Sequence, residues 1–253
     1  MENVTRPGGA LATRPLYFFW VVDYSGSMVG KKMGTLNQAA QEVVPEMRKS
    51  AEENPNAQLY VRRMKFSDTA SWIDPAPIKI EDFSWSDIVA DGMMTNMGDA
   101  FELLAQELTM PPMPQRALPP VIVMLSDGQA TDDYKKSLKK LLSLPWGKKS
   151  VRVAIAIGGD DADIEALKNF TGNIELVLKA ETPTMLVKAI KWASTIAASV
   201  SAPASFSTNT TSTVSGNPPP SGNPLPPLLP PLPPPSDDDE DPNNVDIDAE
   251  DVF

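Results

Sequence analysis

Tyr17-Phe18-Phe19-Trp20-Val21-Val22-Asp23-Tyr24-Ser25-Gly26-Ser27 is the stretch from which the rest of the chain can be placed. Six consecutive aromatic and aliphatic residues make a short strand covered on both faces, the habit of a parallel sheet. The run then stops on a carboxylate followed by two hydroxyls with a glycine between them, so the strand delivers oxygen donors at its end. Six apolar residues are too few for a signal-peptide core and far too few to span a bilayer, which predicts a cytoplasmic protein with no membrane partner.

Two later runs have the same character, Pro120–Leu125 (PVIVML) and Val151–Ile157 (VRVAIAI). Gln58–Phe66 alternates more and is expected to pair with Thr69–Ile73 as a hairpin across Ser67-Asp68. Ile174–Leu178 reads as a last short strand. Leu36, Ala39, Ala40, Val43, Met47 and Ala51 keep helical spacing, with Pro45 expected to kink or break that helix. Further helices are predicted over Met97–Leu108, Asp132–Leu144, Ala162–Phe170 and Pro183–Ala197. Thr131 and Thr182 suit N-caps, the second followed by Pro183 at the first helical position, and Gly172 suits a helix stop. This order predicts an α/β fold: an open, mostly parallel, doubly wound Rossmann-like sheet with one antiparallel edge hairpin.

The last fifth of the chain is different material. Ser201–Pro235 holds twelve prolines and no charged side chain, a composition suited to polyproline II and not to helix or inner strand. Ser236–Phe253 holds nine acids and no base. We therefore expect an N-terminal extension (1–14), a folded domain (15–200), a disordered Pro-rich linker (201–235) and a disordered acidic tail (236–253). The chain of 253 residues has 22 basic and 33 acidic side chains, net −11. With the nine tail acids set aside, residues 1–200 carry 24 acids against all 22 bases. No basic excess exists to displace counterions, which argues against nucleic acid as a partner. The chain has no cysteine and no histidine. Thiol nucleophiles, disulfides, Cys/His zinc sites and imidazole bases are all excluded.

Three segments could converge at the carboxyl ends of neighbouring strands, where open α/β sheets collect ligands. They are Asp23-Tyr-Ser-Gly-Ser27, Met94-Thr-Asn-Met-Gly98 and Leu125-Ser-Asp-Gly128. Asp23, Ser25, Ser27, Thr95 and Asp127 would then offer two carboxylates and three hydroxyls. Such a hard oxygen set suits one Mg²⁺ or Mn²⁺ ion. Tyr24, Met28, Met94 and Gln129 are expected to rim that site. Asp132 and Asp133 are read as charges at a helix N-terminus. Gly26-Ser-Met-Val-Gly30-Lys31-Lys32 is one residue short of a phosphate-binding loop and lacks its hydroxyl.

The pattern D-x-S-x-S, then T, then D resembles the von Willebrand factor A domain with its metal-ion-dependent adhesion site, over about residues 15–198. In detail the chain is similar to the bacterial TerY-type subgroup associated with tellurium-resistance and stress operons. Gly34-Thr-Leu-Asn37, Thr95-Asn-Met-Gly98, Leu125-Ser-Asp-Gly-Gln129, Trp146-Gly-Lys-Lys149 and Ala154-Ile-Ala-Ile-Gly158 carry that likeness. The resemblance implies a non-catalytic cytosolic adaptor, with a Ser/Thr kinase and a PP2C-like phosphatase as its associates. It also implies roles: Ser25 and Ser27 bind the ion directly, Thr95 directly or through water, and Asp23 and Asp127 mostly through water. An open coordination position would take a carboxylate from a partner protein. Some relatives carry a cysteine-bearing zinc ribbon, which a chain without cysteine cannot form. A Mg²⁺-dependent phosphohydrolase and a secreted adhesin are the alternatives. The acidic tail interleaves Val245, Ile247, Val252 and Phe253 with its acids, a pattern suited to a docking peptide. Val252 and Phe253 would anchor it on a partner, or a tail carboxylate would occupy the chain's own metal site.

Overall fold

The computed structural model describes residues 13–54, 56–127, 129–158 and 164–201. Seven strands form one sheet: β1 (Arg14–Asp23), β2 (Ala57–Phe66), β3 (Ala70–Trp72), β4 (Ile78–Lys79), β5 (Val121–Ser126), β6 (Val151–Ile157) and β7 (Val177–Ala180). The helices are α1 (Lys31–Glu52), α2 (Met97–Glu107), α3 (Lys135–Ser143), α4 (Pro145–Lys149), α5 (Ile164–Thr171) and α6 (Pro183–Ser201). Strand order is β3-β2-β1-β5-β6-β7, with β4 also paired to β2. Every pairing is parallel except β2 with β3 and β2 with β4. The expected open, mostly parallel sheet with an antiparallel edge is the observed architecture.

The apolar run of β1 owes its lack of alternation to having a core on each face. Phe18, Trp20 and Val22 pack with Leu36, Ala40 and Val43 of α1 and with Ile190 and Ala193 of α6. Phe19 and Val21 pack with Phe101 and Leu104 of α2, Leu141 of α3 and Phe170 of α5. Phe18, Phe19 and Trp20 have no exposed surface, and burial of such a side chain stabilises by about 1.5–3 kcal/mol.

β1 lies between β2 and β5, and the chain leaves β1 and β5 toward opposite edges of the sheet. That makes the β1/β5 junction the place where strand order reverses and a crevice opens. Val22 is level with Leu125, so Asp23 and Ser126 end the two strands side by side.

Several local expectations need correction. α1 runs unbroken through Pro45. The ring sits on the exposed side of the helix, where water can take the unmatched carbonyl, while Val43, Val44 and Met47 hold that turn to the core. Thr131 does not cap α3, which starts later with Tyr134 before its first turn. β7 begins at Val177, after a 3₁₀ turn over Ile174–Leu176. The short β4 and α4 had no separate signal in the periodicity. Thr182 does cap α6, its Oγ1 accepting from Met185 N at 3.2 Å. Gly172, at φ +75°, closes α5. The linker and the tail, including Val252 and Phe253, lie outside the described residues.

β2, which lies between β1 and the short antiparallel strands β3 and β4, is tied down by two buried arginines. Arg63 makes a two-point contact with Asp74, at 3.1 Å through Nε and 2.7 Å through Nη2. Arg62 pairs with Glu107 at 2.7 Å and lies 4.0 Å over the Trp72 ring.

Candidate metal centre

The β1 end is built first. Asp23 is fully buried, and its carboxylate is fixed by two donors: Ser25 N gives to Oδ1 at 2.9 Å and Ser126 Oγ gives to Oδ2 at 2.6 Å. Gly26–Met28 form one 3₁₀ turn, closed by Met28 N donating to Ser25 O at 3.0 Å. The turn brings the Ser25 and Ser27 hydroxyls to 3.0 Å from each other.

Thr95 stands on a loop held from both sides. On the β1 side, Gly92 N donates to Tyr24 O at 3.1 Å, and Gly92 forms a parallel bridge with Ser25. Ser67 Oγ donates to Met94 O at 2.5 Å, and Asp68 accepts from Met93 N and Met94 N. On the β5 side, Thr95 N donates to Thr131 Oγ1 and Thr131 N returns a bond to Thr95 O, both at 3.0 Å. Asp132 Oδ2 accepts from Gly98 N at 2.8 Å and so satisfies the N-terminus of α2, not that of α3. Two close approaches demand glycine here. A Cβ on Gly92 would stand 2.0 Å from Ser67 Oγ, and one on Gly98 would stand 2.4 Å from Asp132 Oδ2.

Asp127 behaves differently from Asp23. It is 1 % exposed, and among the described residues neither carboxylate oxygen has a hydrogen-bond donor. Its cationic neighbour is Lys32, with Nζ 3.5 Å from Oδ2. Burial pushes the Asp23 pKa up, the bonds from Ser126 and Ser25 pull it down, and the Asp127 charge adds a smaller upward push. Two buried carboxylates, one without donors, form a site that calls for positive charge.

The donors suit that cation. They are carboxylate and hydroxyl oxygens, with no nitrogen or sulfur ligand, the set for a hard divalent ion. Among the described residues no group of three or more acidic side chains is placed to hold a metal ion.

The structure divides the expected rim. Tyr24 is partly buried, with Lys65 Nζ 4.5 Å over its ring. Met94 is 45 % exposed, Met93 is 86 % exposed, and Gln129 is exposed. Met28 is not at the rim, because the 3₁₀ turn rolls it inward to zero exposure. Met97, on the first turn of α2, is likewise core. Sequence reasoning missed the residues that position the site. Ser126 was visible beside Asp127 in the Leu-Ser-Asp run, but Lys32, Ser67 and Thr131 had no signal, because their roles come from loops meeting in space.

No protein-family model and no curated protein matches the chain. Solved structures do. The ArnB paralog VWA2 from Sulfolobus acidocaldarius superposes with a TM-score of 0.52 at 17% identity, over 70% of this chain and 44% of that one. The von Willebrand factor type A structure from Catenulispora acidiphila gives 0.52 at 15% identity, over 75% and 43%. The conserved hypothetical protein BatB from Bacteroides thetaiotaomicron gives 0.50 at 15% identity, over 72% of this chain and 98% of its own. The chain thus spans less than half the length of the first two and nearly all of the third. At these identities the likeness is one of fold, and the fold is that of the von Willebrand factor A domain.

Proposed function

We propose that the domain is a metal-dependent protein-binding module and not an enzyme. The observation that carries this reading is the contrast between Asp23, held by two donors, and Asp127, buried, without a hydrogen bond among the described residues and with the Lys32 ammonium 3.5 Å away. Ser25, Ser27 and Thr95 would hold one Mg²⁺ or Mn²⁺ ion, with Asp23 and Asp127 supplying the negative charge. When bound, the ion would supply a Lewis-acidic position for a carboxylate from a partner protein.

The chain's own residues do the remaining work. Ser126 and the Ser25 amide hold the Asp23 carboxylate in one orientation. Thr131 ties the Thr95 loop to the segment after β5, Ser67 ties it to the end of β2, and Gly92 joins it to the β1 loop. Met93 and Met94 present an unbranched, adaptable apolar edge to the partner. On the resemblance read in the sequence, we place the module in a bacterial cytoplasmic stress-response complex of the tellurium-resistance type. A Ser/Thr kinase and a PP2C-like phosphatase are the candidate partners. Among the described residues no helix is long and apolar enough to cross a membrane.

The test pairs metal binding with partner capture. Mn²⁺ binding followed by electron paramagnetic resonance should be strong in the wild type and lost in Ser25→Ala. Pull-downs should be abolished by EDTA and by the same substitution. Equal Mn²⁺ binding by wild type and Ser25→Ala would overturn the assignment, and metal-dependent phosphate release lost in Asp23→Ala would make the site catalytic.

A further inference from the structure

The charge of the folded domain is near balance but unevenly spread. Lys135, Lys136, Lys139, Lys140, Lys148 and Lys149 all lie on α3 and α4, and no acid occurs from Tyr134 to Gly158. Lys140 is turned away into a pair with Glu102 of α2. Lys135, Lys139 and Lys148 have no ion pair among the described residues. These three edge an open groove between α3 and α5 that Glu165 of α5 also lines, three cations against one carboxylate, and its floor is apolar, made by Leu138 and Leu142. Asn169 lines the α5 side and donates to the Tyr134 hydroxyl at 3.0 Å, which fixes the two helices beside each other.

The acidic tail has the complementary pattern. Val245, Ile247 and Ala249 alternate with Asp246, Asp248 and Glu250. Extended, that segment would turn its apolar side chains to one face and its carboxylates to the other. We propose that residues 245–250 of the same chain dock in the α3/α5 groove, apolar side on Leu138 and Leu142, acids toward Lys135, Lys139 and Lys148.

The tether permits it. Between Ser201 and Val245 lie 43 residues. A coil of that length spans about 35 Å root-mean-square and a polyproline II rod several times more, against a radius of gyration of about 16 Å for a domain this size. Each exposed pair is weak and screened by salt. Tethering raises the local concentration of the segment to the millimolar range, enough to favour a weak site over free competitors. The proposal is independent of the metal reading, since it uses neither the ion nor its ligands.

The absence of cysteine makes the full chain easy to probe. Ser143, exposed beside the groove, is replaced by cysteine and given a nitroxide label, and amide resonances of the tail are followed by NMR. We expect at least a twofold loss of intensity over residues 245–250. The signals should recover in 0.5 M salt and in the Lys135→Glu/Lys139→Glu variant. Unchanged tail signals, or broadening that survives the double charge reversal, overturn the proposal. Loss that persists when nitroxide-labelled chains without isotope are mixed with isotope-enriched chains without label moves the occupant to a second copy and overturns the intramolecular assignment. Broadening from a label at Met93 instead, released by EDTA, puts the tail on the metal site and overturns it as well.

Discussion

Lys32 Nζ lies 3.5 Å from Asp127 Oδ2, so the first turn of α1 supplies the cation that faces the buried carboxylate at the end of β5. The ammonium group is held close: a Cβ on Gly158 would come within 2.9 Å of Lys32 Nζ. A divalent ion at Ser25, Ser27 and Thr95 would meet this charge as a like neighbour. We predict that Lys32→Ala raises Mn²⁺ affinity about fivefold, near ~1 kcal/mol for like charges a few ångströms apart in a well-hydrated site. A Mn²⁺ titration followed by electron paramagnetic resonance measures it. Unchanged or weaker binding would show that the lysine is no competitor of the ion.

The Thr95 loop depends on two absent side chains. Gly92→Ala would drive a methyl into Ser67, and Gly98→Ala would drive one into the carboxylate that satisfies the start of α2. Each should cost about 1–3 kcal/mol of stability, the range for forced overpacking. Each should also weaken metal binding, because the loop that carries Thr95 has to shift. Urea denaturation and the Mn²⁺ titration read the two effects separately. A Gly34→Ala control, where a Cβ meets nothing within 4 Å, should leave metal binding unchanged and raise stability by about 0.5–1 kcal/mol, since it replaces glycine inside α1.

What could be read in advance divides along the same line. The double-sided burial of β1, β5 and β6 is written in consecutive apolar residues, so strand type and the parallel sheet were legible. The spacing of oxygen donors named Asp23, Ser25 and Ser27, which the structure does bring together at the end of β1. The boundaries of α3 and β7 were not legible, because their first residues follow loop contacts and not hydrophobic period. Met28 was misplaced because a 3₁₀ turn, unlike an extended loop, returns every third side chain to the same side. Asp132 was read as an N-terminal charge for the helix that follows it, when its carboxylate serves α2, across the site.

The buried and exposed ion pairs should respond very differently to truncation. Asp74→Ala leaves Arg63, 5 % exposed, without its carboxylate. A loss of about 3–5 kcal/mol is expected, since the remaining charge stays buried and unpaired. Glu46→Ala breaks the Glu46–Lys191 pair between α1 and α6, whose side chains are 55% and 40% exposed. That change should stay within about 0.5 kcal/mol. Urea midpoints at constant slope decide it, and a comparable loss for both would mean the clamp on β2 is not rigid.

The last prediction concerns pH. Burial raises the Asp23 pKa above its ordinary value of 3.8, against the pull of its two hydrogen bonds. A carboxyl whose folded pKa is raised binds its proton more tightly in the folded state. Its stabilising contribution is present below the unfolded pKa and is lost as pH rises through the folded one. The metal-free domain should therefore lose stability from this group between the ordinary carboxylate range and the raised value, and Asp23→Asn should remove that part of the slope. A divalent ion acts in the opposite sense, because it binds the ionised pair. Added Mn²⁺ should stabilise the domain at neutral pH and progressively less as Asp23 takes up its proton. Melting temperatures from pH 4.5 to 8, in EDTA and in excess Mn²⁺, for the wild type and Asp23→Asn, test both signs. If wild type and variant trace parallel curves in EDTA, Asp23 does not titrate in that window and its two donors outweigh its burial.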